Sequence, residues 1–260
     1  MRLFLVSLVI ALVCLYPEVA KLMDWNEGRV PFLVTIPYMG LCYIKVFFHE
    51  IGHTVTFWSY GQPAVPAFNF VDGGGVAMPL MERSLVLQAG IYIAFAALAF
   101  QLFRHEAWGL LTLFAVIICA HLFFAFGENR YQLAVGYMGA GGAIIAGCYC
   151  MLRAAANWTY SAHSPMAERY INMIFGIFAV AQSFSMSLGL ILNDFAREIY
   201  LQGIGGHLTN DFTVIADQLD TRLENVAWFS IAFAVLCLII TAIAFFLHWR
   251  HHGFEEHAKF

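Results

Sequence analysis

Charge is scarce in this 260-residue chain: Asp, Glu, Lys and Arg together make up 12%, about half the share of a soluble domain. There is no long basic run and the net charge is −4, which argues against nucleic acid as a partner. Cysteine is sparse and scattered. Cys14, Cys42, Cys119, Cys148, Cys150 and Cys237 all lie in apolar stretches, none in a close pair within a polar loop. That leaves neither a disulfide frame nor a thiolate metal site, and the six read as small core residues. What fills the chain is hydrophobic: 61% of residues, 16% aromatic, with a mean hydropathy of +0.73. The composition is that of one polytopic membrane domain over residues 1–260, with no soluble catalytic module.

Apolar runs of spanning length recur at roughly 3–22, 31–59, 85–103, 107–126, 131–152, 170–192 and 226–247. Short charged segments separate them. The fold class expected is therefore an all-α polytopic membrane protein with six or seven transmembrane helices. The first run lacks a small-residue cleavage site before Tyr16-Pro17-Glu18, so it reads as an uncleaved span. The second is longer than a bilayer needs and holds Pro31 and Pro37, so a broken or tilted helix is expected there. Residues 61–79 are too polar and too rich in Gly and Pro to span, and their 68–78 segment reads as a glycine-rich hairpin or re-entrant loop. The segment Arg197–Arg222 reads as a loop and residues 248–260 as a polar C-terminal tail. Gly136, Gly139, Gly141, Gly142 and Gly147 have the spacing that lets helices approach closely, and packing is the role assigned to them.

Inside the second run stands His49-Glu50-Ile51-Gly52-His53. Positions i and i+4 share one helix face, so both imidazoles can grip one metal ion. Glu50 then stands beside the open coordination position, placed to take a proton from water. His53 precedes Pro63 by ten residues, about 15 Å of helix, which puts the site within the bilayer. A carboxylate and two imidazoles at that depth cost several kcal/mol unless partnered, so they mark function. The plain alternative is two histidines hydrogen-bonded to neighbouring helices, with Glu50 paired to Lys45.

This motif on an apolar helix, followed by Asp72-Gly73-Gly74-Gly75-Val76 and further spans, resembles the site-2 protease family of intramembrane zinc metalloproteases, its smaller B-like branch in particular. The resemblance implies a zinc peptidase that cleaves membrane proteins in or near their transmembrane segments, with one Zn2+ per chain. It implies His49 and His53 as zinc ligands and Glu50 as the catalytic glutamate. It also maps the substrate-side hairpin to about 68–78, with Asn69, Gly73, Gly74 and Gly75 as substrate-binding positions. Members of the family supply a third ligand from an Asn-x-x-Pro…Asp-Gly motif, and this chain contains no Asn-x-x-Pro. A tetrahedral catalytic zinc needs three protein ligands. Asp194 is the first choice, because Asn193-Asp194 closes an otherwise apolar span. Asp211 is second and His121 third. Asn69, Asn172 and Asn193 are candidate donors to the oxyanion of the tetrahedral intermediate.

Two other classes compete. His49 with His53, and His248-Trp249-Arg250-His251-His252, match the boxes of a membrane di-iron desaturase or hydroxylase. However, His105, His121, His163 and His207 stand alone, so a third box is missing and Glu50 gains no role. A non-catalytic scaffold or a metal transporter is the remaining class. The expected partners are a membrane-protein or peptide substrate and the lipid bilayer; the expected location is multi-pass, in a bacterial cytoplasmic membrane.

Overall fold

A computed structural model of the chain describes residues 2–22, 31–69, 74–127, 130–161, 163–202 and 210–257. Helix α1 spans Arg2–Leu22 and α2 spans Phe32–Ser59. Strands β1 (Ala64–Asn69) and β2 (Gly74–Pro79) follow, then α3 (Leu85–Arg104), α4 (Trp108–Ala125), α5 (Arg130–Ala155) and α6 (Pro165–Leu192). Two short helices, α7 (Asp194–Gln202) and α8 (Asp211–Gln218), precede the final α9 (Leu223–His257). Among the described residues, seven helices are long and apolar enough to cross a membrane, so the chain is a multi-pass membrane protein. The expected six or seven runs resolve to seven.

Of the broken or tilted helix expected around Pro37, the break is not found: α2 is one continuous helix of 28 residues, about 42 Å long against a hydrocarbon core of about 30 Å, a length that tilting accommodates. Pro31 sits just ahead of it as N-cap, where a missing N–H costs nothing, and Pro37 removes a hydrogen bond only near the start. The polar C-terminal segment begins as helix, since α9 runs on through residues 248–257. The segment 197–222, read as a loop, holds most of α7 and all of α8.

Between α2 and α3, β1 and β2 pair as an antiparallel two-stranded sheet, with Phe68 opposite Gly75 and Asn69 opposite Gly74. Both strands pack back against α2.

Helix α5 is the hub of the bundle, packed against α2, α4, α6, α8 and α9. It meets α2 at a crossing of two glycines. A Cβ on Gly52 would strike the Met138 carbonyl and reach 3.1 Å from the Gly142 Cα, and one on Gly142 would come within 2.7 Å of the Gly52 Cα. This is the close backbone approach that small residues permit between helices in lipid. Helix α8 is seated by Phe212, Ile215 and Ala216, which are buried in one cluster with Tyr137 and Ala140 of α5, Leu190 of α6, and Leu223, Val226 and Ala227 of α9. The Tyr137 and Phe212 rings stack there, 6.4 Å apart and 14° from parallel. The C-terminal part of α2, the start of α5 and α8 are thus held together at one end of the bundle.

Candidate metal centre

Helix α2 presents His49, Glu50 and His53, and α8 brings Asp211 to meet them. Nε2 of His49 lies 2.9 Å and Nε2 of His53 3.1 Å from the same oxygen, Oδ2 of Asp211. The two Nε2 atoms are 3.1 Å apart. Nδ1 of His53 faces the carbonyl oxygen of Val135 at 2.7 Å. A carbonyl only accepts, so Nδ1 carries the proton and the Nε2 lone pair is left free in the neutral ring. Three lone-pair donors therefore converge on one point.

This set fits a metal ion. Four-coordinate zinc with bonds of about 2.0–2.1 Å holds its ligand atoms about 3.3 Å apart, close to the separations found. The backbone carbonyl behind His53 is the usual outer partner that orients a metal-bound imidazole. Gly139 of α5 leaves the necessary room: a Cβ there would lie against Nε2 of both His53 and His49. Burial pushes the Asp211 carboxyl up, but in the metal-free protein, with a proton on Nε2 of each imidazole, the hydrogen bonds from His49 and His53 outweigh it and hold the group far below the usual carboxylate range. Asp211 is thus poised as an anion.

Glu50 is 4% exposed, and its Oε2 is buried with no hydrogen-bond partner among the described residues. The alternative pairing with Lys45 is not found among the described ion pairs, and Oε2 stands unpartnered. Strand β2 closes over the carboxylate. A Cβ on Gly75 would be 2.5 Å from the Glu50 Cγ and 2.8 Å from Oε1, so only glycine lets the strand come this near.

Of the residues singled out in the sequence, the structure brings together His49, Glu50, His53, Asp211 and Gly75. It does not bring Asp194, the first choice for third ligand. That side chain is 98% exposed at the start of α7 and paired with Arg197 Nη2 at 3.1 Å, because a residue closing a span faces the aqueous boundary rather than the bundle interior. His121 is also elsewhere, with Nε2 3.2 Å from Ser59 Oγ and its ring stacked 4.2 Å from Tyr60. Asn172 donates to the Glu168 carbonyl of its own helix, and Asn193 accepts from the Ala196 N–H. Asn69 is exposed at the end of β1 beside Gly74, and Gly73 lies outside the described residues. Gly139, which its spacing assigns only to packing, turns its bare backbone to two imidazoles, and the sequence carries no sign of this.

A further residue escaped the sequence reading. Tyr200, on α7, packs its ring 6.3 Å from that of Phe212, the residue after Asp211, and burial together with the Asp211 charge pushes its phenol up. No known protein family, curated protein or solved structure matches the chain.

Proposed function

We propose that the protein is an intramembrane zinc metalloprotease that hydrolyses peptide bonds of membrane-protein substrates in or near the bilayer. The observation that carries this reading is the convergence of His49, His53 and Asp211 on one point, with the unpartnered carboxylate of Glu50 adjoining it in the sequence motif. When bound, zinc supplies a Lewis acid that polarises a carbonyl and acidifies water. The chain's own residues do the rest. Glu50 takes the proton from the attacking water on its free Oε2, then delivers it to the departing amine nitrogen. The low dielectric of the buried pocket strengthens both transfers. Gly75 keeps β2 against Glu50, so a peptide lying along this strand would have its backbone beside the base. The β1–β2 hairpin then acts as a re-entrant element that receives an unwound substrate segment, since an intact helix hides its carbonyls.

The histidine-box reading is less well supported. His248 follows Leu223 by 25 residues of α9, about 38 Å, and Leu223 is the residue packed near α8. His248 has its ring against Trp158 instead, at 5.1 Å.

The test is metal analysis of detergent-purified protein beside hydrolysis of fluorescently labelled casein. About one zinc per chain, with Glu50→Gln keeping the zinc and losing hydrolysis, supports the protease. Two irons per chain would replace it with an oxygenase. Metal binding with hydrolysis absent in the native sequence would leave a scaffold or transporter.

A further inference from the structure

We propose that Arg83 is a positioning residue that sets the ring of His53 at the metal centre; this role rests on the metalloprotease reading above. Arg83 stands in the strap between β2 and α3, and its guanidinium binds two helix ends at once. Its Nε donates to the Tyr60 carbonyl, at the C-terminus of α2, at 3.0 Å. Its Nη2 donates to the carbonyl of Ala125, the last residue of α4, at 2.9 Å. Carbonyls at a helix C-terminus have no donor within the helix, and the helix dipole favours a cation beside them. The same guanidinium lies 5.2 Å over the Tyr131 ring, in the first turn of α5, where the π face attracts it. One side chain thus ties together α2, α4 and α5.

What it grips leads to the metal centre. Tyr60, Ala125 and Val135 are buried in one cluster, with Tyr131 packed against it. Val135 follows Tyr131 by one helical turn, and its carbonyl is the one that lies 2.7 Å from His53 Nδ1. The close crossing of Gly52 with Met138 and Gly142 fixes how near α2 and α5 approach, but a single crossing leaves two helices free to pivot. Arg83 supplies a second point. Along α5, Tyr131 and Met138 stand on either side of Val135; along α2, Tyr60 and Gly52 stand on either side of His53. The pivot is therefore closed across the very contact that aims the imidazole. The precision matters because ligand positions must hold to about 0.2 Å for a metal to bind well, and partners behind a ligand are typically worth about 10- to 100-fold in metal affinity.

The test uses the full chain in detergent, at a temperature where circular dichroism reports it folded, and measures Zn2+ affinity by competition with a chelator. Arg83→Lys keeps the charge but loses the planar fork that spans two carbonyls. It is expected to weaken Zn2+ binding about tenfold and to shift the visible absorption of the Co2+-loaded protein. Arg83→Gln should weaken binding in the same direction, although removing a cation would by charge alone favour a bound metal ion. Because the effect runs through the His53 ring, Arg83→Lys should cause no further loss in a His53→Ala background, and should still cost about tenfold in an Asp211→Ala background. A purely structural tie would lower the unfolding midpoint and leave the affinity of the folded protein where it was. Unchanged affinity in Arg83→Lys, or a loss that persists with His53 removed or disappears with Asp211 removed, overturns the proposal while leaving the protease reading intact. A native protein that binds no Zn2+ through His49 overturns both.

Discussion

The carbonyl oxygen of Val135 lies 2.7 Å from Nδ1 of His53, and this contact decides which ring nitrogen faces Asp211. It joins the zinc-type motif of α2 to a turn of α5, so the geometry of the centre is shared between two helices rather than written into one.

The identity of the third ligand separates two aspartates. Asp211→Ala should lower Zn2+ affinity at least a hundredfold, because it leaves two imidazoles where three ligands are needed. Asp194→Ala should change it less than twofold, as befits a solvated side chain. Equilibrium dialysis with metal analysis of both variants decides the matter, and loss of zinc from Asp194→Ala would refute the assignment.

Gly139→Ala adds one methyl group where the two Nε2 atoms stand. Zinc content should fall at least tenfold. Overpacking costs typically 1–3 kcal/mol, so the variant should still fold, with circular dichroism reporting unchanged helix content. A Gly139→Ala protein holding a full zinc complement would show that α5 does not border the centre as described.

Gly75→Ala acts on a different atom. Its Cβ would press on the Glu50 carboxylate and not on the ligands. Zinc should therefore be retained while casein hydrolysis drops by about a hundredfold or more, the loss expected when a general base is displaced. Equal loss of zinc and activity would instead mean that the hairpin shapes the metal site as a whole.

Acid should act on the metal-free protein through Asp211. Its carboxyl is held far below the usual range in the folded chain, so the unfolded chain binds the proton more readily. The sign follows: Asp211 contributes its full stabilisation above its unfolded value of about 3.9, and that contribution is lost as pH falls through this value toward the lower folded one. Thermal unfolding scanned from pH 6 to pH 3 should show a decline that Asp211→Asn flattens. A decline of equal steepness in Asp211→Asn would assign the acid limb to other groups.

How much of this could be read from the chain follows from distance along it. His49, Glu50 and His53 were legible because one helical repeat sets their geometry, and no other part of the fold is needed to place them on one face. The seven spans were legible because hydrocarbon imposes length and composition on each run separately. Asp211 was only a second choice because 158 residues separate it from His53, and its helix is too short to leave a periodic trace. Asp194 looked better because it closes a strongly apolar run, but the same position turns it toward water. Gly52, Gly139 and Gly142 share one residue type and two jobs. Gly52 and Gly142 bring helices together, while Gly139 empties a space beside the imidazoles, and only the packed neighbours tell these apart.

The separation of the ligands in the chain also sets a timetable. A growing polypeptide carries His49 and His53 into the membrane together with Glu50, but has no Asp211 until 158 further residues have followed His53. Until then the pair of imidazoles lacks its carboxylate, and α8 cannot seat its Phe212 before the start of α9 is present to complete the cluster. The candidate metal centre is therefore assembled only once α8 and the start of α9 have joined α2.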